Sequence, residues 1–289
     1  MTQTGDATEL VPLRTAIAWR PVWLVAAAIG VIHLAVAARY GWHHDEFYYV
    51  ITGRHPAWGY VDQPPLVPFL ARLAAALPGD VLPLRLLAIA AQIGCVLLGA
   101  ALAAEFGGGR RAQVIAAAAV GACLAFVGAA LLFGTTVTDQ VVWLALFVLV
   151  ARALRSGTTG AWLWAGLVAG IGLENKDTVA VLLAGIAAGL LVYRRDVLRT
   201  PGPWLAGAVA VVLALPNVLW DALHGWPNLA MAHALAAKQG GPLGALAQVP
   251  LLALIGAGPT LIALWVLGVR WLGSPDGHAH RWLLAATVV

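Results

Sequence analysis

What this sequence has least of is charge. Asp, Glu, Lys and Arg make up 10% of its 289 residues, where a soluble domain carries about 25%. That scarcity excludes an ordinary water-soluble globule. Cysteine is nearly absent too: Cys95 and Cys123 each sit inside an apolar run, so they read as small packing residues and build no disulfide framework. Strand-like alternation over stretches of about ten residues is missing, which excludes a transmembrane barrel. Several catalytic signatures are also missing. There is no GxxxxGK[ST] phosphate loop, no HExxH, no GxSxG elbow, and no Gly-rich fingerprint in a strand–turn–helix context.

What fills the chain instead is hydrophobic sequence, 61% of the residues, with a mean hydropathy of +0.85. It falls in runs of roughly 20 residues, each long enough to cross a hydrocarbon core of about 30 Å. The pattern predicts an all-α polytopic membrane protein. Spans are expected at about 21–38, 83–104, 113–133, 138–154, 161–174, 177–193, 203–220 and 247–269, with a ninth begun at Trp282. Residues 1–20 then form a cytoplasmic segment and 21–289 one transmembrane domain. Its last helix is expected to be incomplete, because the chain stops eight residues after Arg281. The first run is longer than a signal-peptide core and reads as a retained signal anchor.

The formal charge of +4 comes from arginines gathered in short connectors, among them Arg110, Arg111, Arg152, Arg155, Arg194 and Arg195. That is the orienting bias of membrane chains rather than a nucleic-acid surface, and it predicts a cytoplasmic N-terminus. The acidic residues partition to the opposite, outer side: Asp45, Glu46, Asp62, Asp80, Asp139, Glu174, Asp177 and Asp221. Two outer loops are long, 39–82 and 221–246. Within the first, Asp45–Gly53 and Leu66–Leu77 have the spacing of short helices lying along the interface. Small-residue pairs Gly166/Gly170 and Gly185/Gly189 suit close helix contacts.

Carboxylates held beside a membrane are costly and so point to function. The run His43-His44-Asp45-Glu46 follows the first span, where shielding by aromatics would tune a general base. Asp45 could equally cap the short helix that follows. The prolines of Gly59-Tyr60-Val61-Asp62-Gln63-Pro64-Pro65 stiffen a turn whose Asp62 and Gln63 suit hydrogen bonds to a sugar. Asp139 stands at the mouth of the fourth span, in reach of the helix cap. Lys176, in the tight turn Glu174-Asn175-Lys176-Asp177, suits a phosphate or a local ion pair with Glu174. His224-Gly225-Trp226-Pro227 offers an imidazole and an aromatic platform. The four-residue His–Glu run lacks the spacing of a zinc site, so no metal is assigned, with a divalent cation left open.

Taken in order, DEFYY, GYVDQPPLVP, TDQ, NKD and LWDALHGWP resemble the motifs of glycosyltransferase family 39, the protein-mannosyltransferase-like and aminoarabinose-transferase-like enzymes of the GT-C fold. The resemblance covers about residues 20–230. It implies a GT-C-like bundle of eight to nine membrane helices, shorter than is usual for the family and truncated at the C-terminus. It further implies transfer of a sugar from a polyprenyl-phosphate carrier to a protein, lipid or glycan acceptor at the outer face of the cytoplasmic membrane, with inversion. Asp45, helped by Glu46, would be the base. Lys176, with Arg54 or His224, would hold the phosphate. Tyr49, Tyr60, Asp62, Gln63, Asp139 and Trp226 would contact substrate. A lipid-sugar flippase and an inactive fragment are the alternatives, and ionisable groups gathered at span ends rather than mid-span favour the transferase.

Overall fold

The computed structural model describes residues 14–238 and 241–288, and among them every regular element is helical. Fourteen α-helices follow one another: α1 Trp19–Ala37, α2 His44–Gly53, α3 Leu66–Ala75, α4 Leu82–Glu105, α5 Arg110–Ala122, α6 Leu124–Ala129, α7 Thr135–Ser156, α8 Thr159–Leu173, α9 Thr178–Tyr193, α10 Pro201–Leu223, α11 Pro227–Lys238, α12 Gly241–Ala257, α13 Pro259–Gly273 and α14 Trp282–Val288. This is an all-α polytopic membrane protein. By length and composition α1, α4, α7 and α10 can each cross a bilayer, the α12–α13 pair is a candidate fifth span, and α8 and α9 are apolar but shorter. Both short helices expected in the loop after α1 are present, as α2 and α3.

Two expected spans are broken. The run 113–133 divides into α5 and α6 at Cys123, whose ψ of 122° is extended. No proline marks the break. Gly121 packs on Ile29 of α1, while the Cys123 thiol reaches the Gly256 carbonyl of α12 at 3.3 Å, so tertiary contacts divide the helix. The run 247–269 bends by 116° between α12 and α13. There the cause is local: Gly258 has φ +77° and Pro259 opens the next helix.

The helices pack in sequence around the bundle, α1 on α4 and α5, α4 on α7, α7 on α8, α8 on α10, and α9 on α14. Close approach depends on absent side chains. A Cβ at Gly166 of α8 would run into the Ala206 backbone of α10. One core lies among α7, α8, α9, α10 and α14, a second among α1, α4 and α5, and a third where α2 and α3 meet α4 and the start of α7.

The two ends of the bundle differ. At one end Glu105, the last residue of α4, is buried and receives Arg152 at 3.0 Å, Arg155 at 2.9 Å and Arg14 at 3.5 Å. Beside it Gln113 accepts from the Ala18 amide and donates to Thr15, Ala16 and Gly108, tying the segment before α1 to the α4–α5 turn. The opposite end carries Asp45, Asp139, the α8–α9 turn and the end of α10. Every motif singled out above lies there.

Candidate active site

Glu46 builds the floor of the Asp45 end. Its carboxylate is fully buried and accepts from Arg85 Nε at 3.2 Å and Nη2 at 3.0 Å, from the Phe133 amide at 3.3 Å and from the His43 amide at 3.1 Å. The bond to His43 belongs to a capping box that starts α2, with His43 Nδ1 accepting from the Asp45 amide. Arg85 is as buried as its partner. It also donates to the carbonyls of Ala37, Tyr40 and Gly41, where α1 ends with unpaired acceptors, and lies 3.9 Å over the Tyr40 ring. One ion pair therefore joins α1, α2, α4 and the α6–α7 turn. With its lone pairs occupied, Glu46 holds its neighbour Asp45 in position.

Asp45 is half-exposed and opens on a cavity of about 280 Å³ lined also by Tyr49, Ala125, Gly128, Leu132, Thr135 and Thr136. One wall is polar and the other, from α6, is apolar. His44 Nε2 lies 3.1 Å from the Asp45 carboxylate and His43 Nδ1 3.7 Å. The ligand atoms of these three residues fall within 4.8 Å of one another. Because His43 Nδ1 is engaged as a helix cap, the group falls short of the three or four protein ligands of a zinc site, and no cation role is assigned to it.

Thr136 of the cavity lining is approached by Lys176 Nζ, 3.4 Å from its Oγ1. The turn that carries Lys176 is fixed by its neighbour: Asn175 is fully buried, accepts from Thr138 Oγ1 at 2.5 Å and donates to the Thr135 carbonyl at 3.1 Å. Asp139 is buried on α7 and accepts from Thr178 Oγ1 at 2.8 Å, so it too ties α7 to the start of α9. Asp45, Tyr49 and Thr136 thus border one space, and Lys176 is tied to it through Thr136.

The remaining motif residues form a second group. Tyr48 donates to the exposed Asp62 at 2.7 Å, and partial burial plus that bond raise the phenol above its ordinary pKa, keeping it a neutral donor. Tyr60 donates to the Thr52 and His55 carbonyls, securing its own loop. Gln63 is buried. Arg54, just past the end of α2, is exposed and does not line the cavity. His224 stacks on Trp220 at 4.1 Å and 18° and bonds the Trp220 carbonyl at 2.7 Å. Trp226 is exposed with φ +57°, its amide bonded to the Asp221 carbonyl.

Sequence reasoning missed Arg85 and Asn175. Each is a polar residue whose partners lie 37 to 48 positions away, beyond any local pattern. At Glu174, in the same turn as Lys176, burial pushes the carboxyl up to about 7, the Asn217 backbone amide opposing the shift.

Residues 62–220, more than half the chain, match a family model described as dolichyl-phosphate-mannose-protein mannosyltransferase. No curated protein and no solved structure gives a significant match. The matched segment includes Asp139 and Lys176, whereas Asp45 precedes it and Trp226 follows it.

Proposed function

We propose a function from one premise: the chain belongs to the dolichyl-phosphate-mannose-protein mannosyltransferase family, and so is a membrane glycosyltransferase of the GT-C kind. It takes a sugar from a polyprenyl-phosphate carrier and passes it to an acceptor hydroxyl, with Asp45 as the base. The observation that carries this reading is a cavity bordered by the Asp45 carboxylate and by Thr136, whose hydroxyl lies 3.4 Å from the Lys176 ammonium.

The step needs no covalent enzyme intermediate. Asp45 Oδ takes the proton of the acceptor O–H as that oxygen bonds the anomeric carbon from the face opposite the carrier. The bond from that carbon to the phosphate oxygen breaks, and the electron pair leaves with the polyprenyl phosphate. Lys176 stabilises the charge that develops there. The apolar wall formed by Ala125 and Gly128 of α6 and Leu132 just after it suits the first isoprene units. Positive charge gathered at the Glu105 end supports a cytoplasmic Glu105 end and an outward cavity.

The test supplies membranes containing the protein with labelled sugar on polyprenyl phosphate or on a nucleotide. Transfer from the lipid donor, with inverted anomeric configuration and released polyprenyl phosphate, is expected. Transfer from the nucleotide donor alone would sink the reading.

A further inference from the structure

The cavity beside Asp45 leaves a second polar patch unused at the same end of the bundle. Three segments meet there: residues 58–66, the α8–α9 turn, and the last turns of α10. Asn217 Nδ2 donates to the Trp58 carbonyl at 3.0 Å, the Leu66 amide donates to the Glu174 carbonyl at 2.9 Å, and Gly59 lies against the Trp220 ring. Asp177, which precedes α9, is within electrostatic reach of Asp221.

These segments bury polar atoms that no protein group satisfies, Gln63 Nε2, Glu174 Oε1 and Asp221 Oδ1, and Asn228 of α11, whose Nδ2 donates to Asp221 at 2.9 Å, adds an unpaired Oδ1. Gln63 and Asp221 are 4% and 6% exposed. Leaving such an atom unpaired costs about 1–3 kcal/mol, so several together on three packed segments form a set of hydrogen-bonding positions suited to a ligand. Aromatic surface adjoins them. Trp58 and Trp226 are 64% and 44% exposed, and Trp226 is held in the left-handed region that favours glycine.

The kind of ligand follows from the donor and acceptor types. Carboxylate and amide oxygens outnumber the single free donor, Gln63 Nε2, so the patch suits a ligand rich in hydroxyl groups. An extended polypeptide would instead require alternating donors and acceptors. Flat indole faces suit the C–H face of a pyranose. We propose that this patch is an acceptor subsite and that the acceptor is a saccharide, its hydroxyls bonded to Gln63, Glu174 and Asp221 and its ring against Trp226. The assignment of the bound sugar as acceptor rests on the transferase reading. Its binding does not.

The experiment uses the full chain in lipid nanodiscs, with mannotriose, maltotriose and chitotriose as saccharide probes and a Ser/Thr-rich peptide as the rival. Binding is read by saturation-transfer NMR, and transfer by label moved from polyprenyl-phosphate-sugar. At least one trisaccharide is expected to bind, about tenfold more weakly to Trp226→Ala and Gln63→Ala, with Trp226→Phe restoring most of the loss. Binding of no trisaccharide, or equal binding to wild type and both alanine variants, overturns the subsite. Transfer to the peptide and not to a bound trisaccharide keeps the transferase and removes the saccharide acceptor. Trisaccharide binding that depends on Trp226, with no transfer from the lipid donor, keeps the subsite and removes the transferase.

Discussion

Removing one partner of the Glu46–Arg85 pair gives the sharpest test of how the Asp45 loop is held. Both side chains are almost wholly desolvated, at 0% and 1% exposure. In Glu46→Gln the guanidinium keeps a neighbour of the same shape but loses the charge that offsets its burial. Breaking such a pair typically costs about 3–5 kcal/mol, roughly a hundredfold or more in the folding equilibrium. The local count agrees, since Glu46 accepts four hydrogen bonds, two of them from an ionised donor. Arg85→Met should cost at least as much, because the Ala37, Tyr40 and Gly41 carbonyls lose their donor as well. The double variant Glu46→Leu/Arg85→Met should be less damaging than the sum of the singles, as no buried charge is left unpaired. The assay is reversible unfolding of the detergent-solubilised protein, with transfer per folded molecule measured alongside. Singles within about 1 kcal/mol of wild type, or strictly additive losses, would refute the anchoring role.

Two further outcomes follow from packing and burial. Gly166→Leu should separate α8 from α10 and cost about 1–3 kcal/mol, whereas substitution at Gly207, where a Cβ meets nothing within 4 Å, should change little. Thermal unfolding of the two variants compares them. His280 lies between Phe106 at 4.3 Å and Trp271 at 5.6 Å, and burial, with the Arg194 charge adding to it, lowers its pKa to about 4. The folded state then binds fewer protons than the unfolded state between about pH 4 and 6.5, so this residue's contribution to stability rises with pH across that window and is lost on acidification. His280→Gln should flatten that part of the stability–pH curve relative to wild type, and unchanged curvature would contradict the assignment.

Reading the fold from sequence works where structure depends on local composition. The long apolar runs behind α1, α4, α7 and α10 are visible from hydropathy, and Pro64-Pro65 announces α3. The Gly258-Pro259 bend was also written in the chain, and an apolar window averages over it. Cys123 differs, because Ala, Gly, Leu and Val continue on both sides and the break is made by α1 and α12. The site divides in the same way. Asp45 and Lys176 stand out as charge in apolar sequence, whereas the partners that position them, Arg85 and Asn175, come from distant segments. Glu46 shows the limit most plainly: the spacing that made it a second catalytic carboxylate also makes it the acidic half of a capping box, and only Arg85 distinguishes the two.

The central claim is that Asp45 takes the acceptor's proton. It is tested most directly by single-turnover transfer from saturating polyprenyl-phosphate-sugar in proteoliposomes containing wild type or Asp45→Asn, with donor binding measured on the same samples. A loss of about 10²–10⁴-fold in the transfer rate with donor affinity retained is the predicted result, and equal rates from the two proteins would contradict the account.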